Sequence, residues 1–126
     1  MTHWRDCTIT RCEPTEVDGC WMVVTEGSLD GGPPLDAWSM RVRQLVSDGA
    51  RWIIFDAAAI DSFVDCGHGA MVHVADLLRR AGGGAIVLRL DARERIAFKL
   101  LKIEHFFLFA ETPQEALAIA AREDSR

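Results

Sequence analysis

Between Asp56 and His68 the chain gathers three carboxylates, a hydroxyl, a thiol and an imidazole: Asp56, Asp61, Ser62, Asp65, Cys66 and His68. A hydroxyl among carboxylates suits a phosphorylation switch. A phosphate adds about −1.5 to −2 charges, which neighbouring carboxylates repel. Asp56 with Asp61 would suit a receiver-like acidic pocket for a divalent cation or an aspartyl phosphate. That chemistry also needs a phosphate-steadying lysine beyond a later strand, and Leu88-Arg89-Leu90-Asp91 supplies none. A metal would recruit His3, Cys7, Cys12 and Cys20, or Cys66 with His68 and His73. Neither set has the paired short spacing of a zinc site, and His68 and His73 fall on different helix faces. A thiol at a helix start can gain reactivity, but three nearby carboxylates disfavour its thiolate, so Cys66 is expected as a buried spacer. His68 and His73 are expected as surface or partly buried helix residues. No catalytic residue, metal or cofactor is expected.

These residues need elements to hold them. Trp52–Phe55 is an unbroken apolar run, as expected of a strand covered on both faces. From Val64 to Ala81, positions Gly67, Ala70, Met71, Val74, Leu77 and Leu78 trace one stripe of a helix, and Ala85–Leu90 is a further buried strand. Gly67 and Gly69 each cost about 1 kcal/mol inside a helix, which close backbone approach of that first turn would offset. The strand–turn–helix–strand order makes a βαβ unit whose turn lies at the carboxyl end of a strand, where open α/β sheets place working residues. Upstream, Cys7–Cys12 and Cys20–Thr25 read as a hairpin punctuated by Pro14 and Asp18-Gly19. Gly31-Gly32-Pro33-Pro34 reads as too broken for helix or central strand. A helix is expected from Leu35 to Ser47, ended near Gly49. Downstream, Asp91 caps a short helix carrying Ile96, Leu100 and Ile103. Phe106–Phe109 is a last buried strand, and Thr112-Pro113 opens a C-terminal helix with Glu115 at its third position. The order β-β-α-β-α-β-α-β-α predicts an α/β fold with a mixed, mainly parallel sheet and helices packed on it.

The 126 residues fit one domain spanning 1–126. The formal net charge is −5 and the basic residues are scattered, which argues against a nucleic-acid partner. No signal peptide is visible and no apolar run approaches a membrane span, so a cytoplasmic protein without membrane insertion is expected. The four cysteines then read as free thiols.

From about Val23 to Ala118 the chain resembles the STAS domain family of anti-sigma-factor antagonists and sulfate-transporter tails. Glu26-Gly27-Ser28-Leu29-Asp30 is similar to the family's Gly-x-Leu-Asp strand ending, and Ile54-Phe55-Asp56 to its Ile-Leu-Asp strand. Gly67-His68-Gly69-Ala70-Met71 resembles its Gly-Leu-Gly-Ala-Leu helix start. Leu100-Leu101 through Phe106-Phe107, then Thr112–Leu117, match its tail. The resemblance implies a non-enzymatic regulatory module that binds an anti-sigma-type serine kinase and is released by phosphorylation of one Ser or Thr in an Asp-Ser-Ser-Gly-like turn. It equally allows a structural subunit of a larger assembly, stressosome-like or transporter-associated, with no phosphorylation cycle and with homo-oligomers possible.

Aligned on Asp56 and Gly67, the acceptor position falls on Cys66, which no serine kinase modifies. A second register places the acceptor at Ser62, within Ile60-Asp61-Ser62-Phe63, and requires the helix to begin about one turn sooner. Ser62 could instead cap that helix, with Asp65 three residues on. The expected switch position is thus Ser62 or Cys66. The expected partner face comprises Asp61, Asp65, Gly67, His68 and Gly69, with the Gly31–Pro34 segment beside it. Trp4, Trp38 and Phe106-Phe107 are candidates for either core or interface.

Overall fold

The structure, a computed structural model, describes residues 4–124. Strands β1 (Cys7–Pro14) and β2 (Cys20–Leu29) form the expected hairpin, with Gly19 at φ 76° in the turn. β2 runs further than its apolar residues suggested, through Glu26-Gly27-Ser28 to Leu29. Helix α1 spans Gly32–Ser47 and buries Leu35, Trp38 and Val42. It starts earlier than expected because Pro33 and Pro34 occupy its first turn, where backbone N–H groups have no intrahelical acceptor and proline costs nothing. The Gly31–Pro34 segment is therefore no open loop, and the Trp4 indole lies over Gly31 and Gly32.

β3 (Trp52–Asp56) is buried along its whole length. The chain then makes a short strand that the sequence did not announce, β4 (Ile60–Phe63), before α2 (Asp65–Arg80) and β5 (Gly84–Leu88). Helix α3 (Ala92–Leu100) begins at Asp91, whose Oδ1 accepts the Arg93 N–H at 2.7 Å. A 3₁₀ turn at Glu104–Phe106 leads into β6 (Phe107–Ala110), and α4 (Pro113–Asp124) closes the described chain. The Thr112 hydroxyl accepts the Glu115 N–H at 3.1 Å, as the sequence predicts.

The sheet order is β1-β2-β3-β5-β6, with only the β1–β2 pair antiparallel. The mixed, mainly parallel sheet is thus present. β2 serves two partners in succession, pairing with β3 through Cys20–Val24 and with β4 through Gly27–Leu29. One sheet face packs Val23, Ile53, Phe55 and Val87 against Trp38, Val42, Met71, Val74, Leu78 and Phe98 of α1, α2 and α3. The other packs Cys20, Trp52, Ile54, Ile86 and Leu88 against Ala116, Ile119 and Ala120 of α4. At the far end of α4, Asp124 accepts from Arg51 and from the Trp52 indole at 3.2 Å each.

One polar link lies inside the larger core: the Trp38 indole N–H donates to the Thr25 hydroxyl at 3.0 Å, with both residues buried. Thr25→Val keeps the shape and strands that N–H, so a loss of about 1–3 kcal/mol is expected. Urea unfolding measures it, and an unchanged midpoint would refute the assigned role.

Candidate functional site

At the carboxyl end of β3, Asp56 has two internal partners and lines a cavity of about 280 Å³ with Arg11 and Arg89. Asp56 Oδ1 accepts the Ala58 N–H at 3.0 Å, and Oδ2 accepts from Arg89 Nη2 at 2.6 Å. Arg89 stands in left-handed backbone at φ 57° just past β5. Asp56 is buried, whereas Asp61 is exposed on a different strand. An acidic pocket joining the two is absent, and Asp56 acts as an internal counterion. Among the described residues no cluster of three His, Cys, Asp or Glu side chains is placed to hold a metal. His3, named in one rejected ligand set, lies outside them.

The start of α2 is set by the end of β2. The Leu29 carbonyl accepts the Val64 N–H at 3.1 Å, and a Cβ on Gly67 would collide with that same carbonyl. Val64, in extended backbone, is the N-cap residue and contributes no side-chain hydrogen bond. The capping role considered for Ser62 is therefore overturned. Ser62 belongs to β4, half-buried, and its hydroxyl donates to the Ser28 hydroxyl at 3.2 Å. The earlier helix start that the Ser62 register needs is also absent, since α2 begins at Asp65.

Cys66 is exposed rather than the buried spacer expected. The helical stripe explains why: Gly67, Met71, Val74 and Leu78 face inward, and Cys66 precedes that stripe. The other thiols are buried or half-buried; burial, then Asp30, pushes Cys7 up to about 11, and burial raises Cys20. The two glycines divide their roles. Gly67 takes the close approach inside the molecule, while a Cβ on Gly69 would meet nothing within 4 Å.

His68 departs most from expectation. It is buried, 8% exposed, stacked on Phe63 with ring centres 5.6 Å apart and edge-on to Phe98 at 5.4 Å. Both ring nitrogens lack a hydrogen-bond partner, as does Glu94 Oε2 on α3, which lies 3.8 Å from Nε2. Beside them opens a groove of about 390 Å³ lined by Asp65, His68, Gly69, Val72, Leu101 and Ile103. Ile96, Leu100 and Leu101 are exposed around α3, whose buried anchor is Phe98 instead of the expected Ile96 and Leu100.

The expected face therefore splits. Asp61, Asp65, Cys66 and Gly69 are exposed, whereas Gly67 and His68 are internal. Trp38 and Phe107 are core, and Trp4 is partly exposed. Glu94 and the Leu101–Ile103 wall were not anticipated; their sequence separation from His68 leaves no local signal. No helix among the described residues is long and apolar enough to cross a membrane.

No protein-family model and no curated protein matches this chain. Solved structures do. An anti-sigma factor antagonist from Mycobacterium paratuberculosis superposes with a TM-score of 0.74 at 18% identity, over 91% of this chain and 94% of that one. A sulfate transporter family protein from Wolinella succinogenes gives 0.72 at 12% identity, over 90% and 93%. The Bacillus cell fate determinant SpoIIAA in its phosphorylated form gives 0.67 at 17%, over 86% and 96%. The fold is the STAS fold that the motifs implied.

Two predictions follow from this geometry. Gly67→Ala drives a methyl into the Leu29 carbonyl and costs about 3 kcal/mol or more, while Gly69→Ala gains up to about 1 kcal/mol of helix propensity. Equal effects in urea unfolding would refute the contrast. For His68, burial lowers its pKa from 6.5 against smaller opposing pulls from Glu94 and Asp65. The fold thus prefers neutral imidazole, so this stabilisation is present above about pH 6.5 and is lost as pH falls through the lowered folded value. His68→Phe should flatten the decline in stability between neutral and mildly acid pH. An identical pH profile for both proteins would show that His68 does not titrate in that range.

Proposed function

We propose that this chain is a non-enzymatic regulatory module that docks an anti-sigma-type serine kinase on the start of α2 and is released from it by phosphorylation. The observation that carries the reading is the solvent-open first turn of α2, bearing Asp65, Cys66 and Gly69 beside an apolar groove, in a fold shared with anti-sigma factor antagonists. Exposed Val64, Leu100 and Leu101 supply apolar contact area, and Asp61 and Asp65 set the charge. Ser62 or Cys66 occupies the switch position. A phosphate on Ser62 would replace the hydroxyl's bond to Ser28 and place charge beside Asp61, loosening both β4 and the docked partner.

A second reading keeps the face and drops the cycle: a structural subunit of a larger, stressosome-like or transporter-associated assembly. Two observations favour it. The exposed helix-start position holds a thiol, and the nearby hydroxyl is half-buried and already bonded.

Affinity capture from the native cytosol with intact-mass analysis tests both. Gly69→Trp adds bulk to the groove's lining at a position where a Cβ meets nothing within 4 Å, and should reduce capture at least tenfold; undiminished capture refutes the docking face. Gly67→Trp cannot serve, because it breaks the Leu29 contact. A captured kinase of the anti-sigma type with one phosphate on Ser62 supports the switch, and captured assembly subunits with an unmodified turn support the structural reading.

A further inference from the structure

We propose that helix α3 is an acid-released flap, held against α2 while His68 is neutral and freed when that imidazole takes up a proton. Phe98, the buried anchor of α3, meets the His68 ring edge-on at 5.4 Å and the Phe63 ring at 5.5 Å. Within this contact both ring nitrogens of His68 and Oε2 of Glu94 are buried without a hydrogen-bond partner. The Glu94 oxygen lies 3.8 Å from Nε2. A neutral imidazole carries one N–H, whereas the protonated ring carries two and a full charge. Glu94 can serve one of them, and Nδ1 has no acceptor at all. A buried charge with half its donors unmet is costly, while the same ring in water is met on every side. Protonation therefore favours separation of α3 from α2.

The rest of α3 is lightly held. Phe98 is its one buried residue, and Ile96 and Leu100 are exposed. The helix is bracketed by the two non-glycine residues in left-handed backbone among the described residues, Arg89 at φ 57° and Lys102 at φ 60°. Lys102 follows the C-cap, where glycine is the usual choice, and the Ile103 N–H closes that turn on the Phe98 carbonyl at 3.0 Å. Strain of this kind persists only while surrounding contacts hold it, and opening relieves it. The charges around the ring agree. Burial lowers the His68 pKa more than Glu94 from α3 and Asp65 from its own helix raise it. β4 turns Phe63 to the ring, and its Asp61 is exposed. Arg93, Arg95, Lys99, Lys102 and His105 are exposed as well, and Glu104 is half-buried. Opening carries Leu101 away from Gly69 and Val72 across the groove. The flap is a property of the fold, and only its effect on a docked partner rests on the docking face.

The test is amide hydrogen exchange of the full chain from about pH 7 to about pH 5, read as protection relative to the free-peptide rate at each pH. The Ile96–Leu101 amides should be at least tenfold less protected than Ile53–Phe55 and Ile86–Leu88 throughout, the mark of a local opening. Their protection should also fall below about pH 6.5, by up to tenfold per pH unit for one proton. His68→Phe should abolish that fall. Glu94→Gln removes a pull toward the protonated ring in the closed state, so the loss between pH 7 and pH 5 should be larger than in the natural sequence. Exchange of α3 in step with the strands overturns the flap, because α3 then opens only with the whole fold. A fall that persists in His68→Phe overturns His68 as the trigger. Protection that rises in acid shows a His68–Glu94 clamp and overturns release. No partner enters the measurement, so the flap and the docking face stand or fall separately.

Discussion

The Leu29 carbonyl fixes the geometry of the site. It takes the Val64 N–H, which ends β4, and it leaves no room for a Cβ at Gly67, which seats the first turn of α2. One peptide group at the tip of β2 therefore aligns a strand end and a helix start. Because α2 cannot rotate away from that contact, its inward stripe is fixed, and so are the residues left outside: Asp65, Cys66 and Gly69. The exposure of the candidate site is a consequence of internal packing.

Charge is distributed in two ways around this frame. At the end of β3, Asp56 is buried and paired with Arg89 and the Ala58 N–H, on the wall of a cavity of about 280 Å³ that Arg11 and Arg89 also line. At the start of α2, His68 sits between the Phe63 and Phe98 rings, close to Glu94 but beyond hydrogen-bond distance. Aromatic faces can shelter a neutral imidazole, yet they offer it no acceptor or donor of ordinary strength. The first carboxylate has a close cationic partner, whereas Glu94 faces the His68 imidazole at 3.8 Å, which pairs with it as an ion only when protonated.

What the sequence disclosed follows from how local each signal is. The hairpin, β3, β5, the body of α1 and the caps at Asp91 and Thr112 are written in runs, periods and single-residue capping chemistry, and all are present. β4 escaped because Ile60–Phe63 contains Asp61 and Ser62 and has no apolar run; its strand character is conferred by pairing with Gly27–Leu29. Pro33 and Pro34 were read as breakers, although proline in a first turn marks a beginning. Cys66 could have been placed correctly, since the phase of the α2 stripe puts it outside. The burial of His68 could not, because Phe98 and Glu94 come from a helix well downstream, and no spacing rule links them to it.

The two terminal strands of the sheet order, β1 and β6, constrain how copies of this chain can meet anything else. β1 carries a register shift between Ile9 and Arg11, an Arg11–Glu13 ion pair, and Pro14 at its end, which lacks an N–H. β6 offers only Phe107–Ala110. A bulged, charged, proline-ended margin and a very short one are both poor templates for an added strand. Backbone-to-backbone polymerisation is thus discouraged at either side. What the molecule presents more freely are the outward faces of its helices, where contact is made by side-chain shape and charge instead of by open backbone.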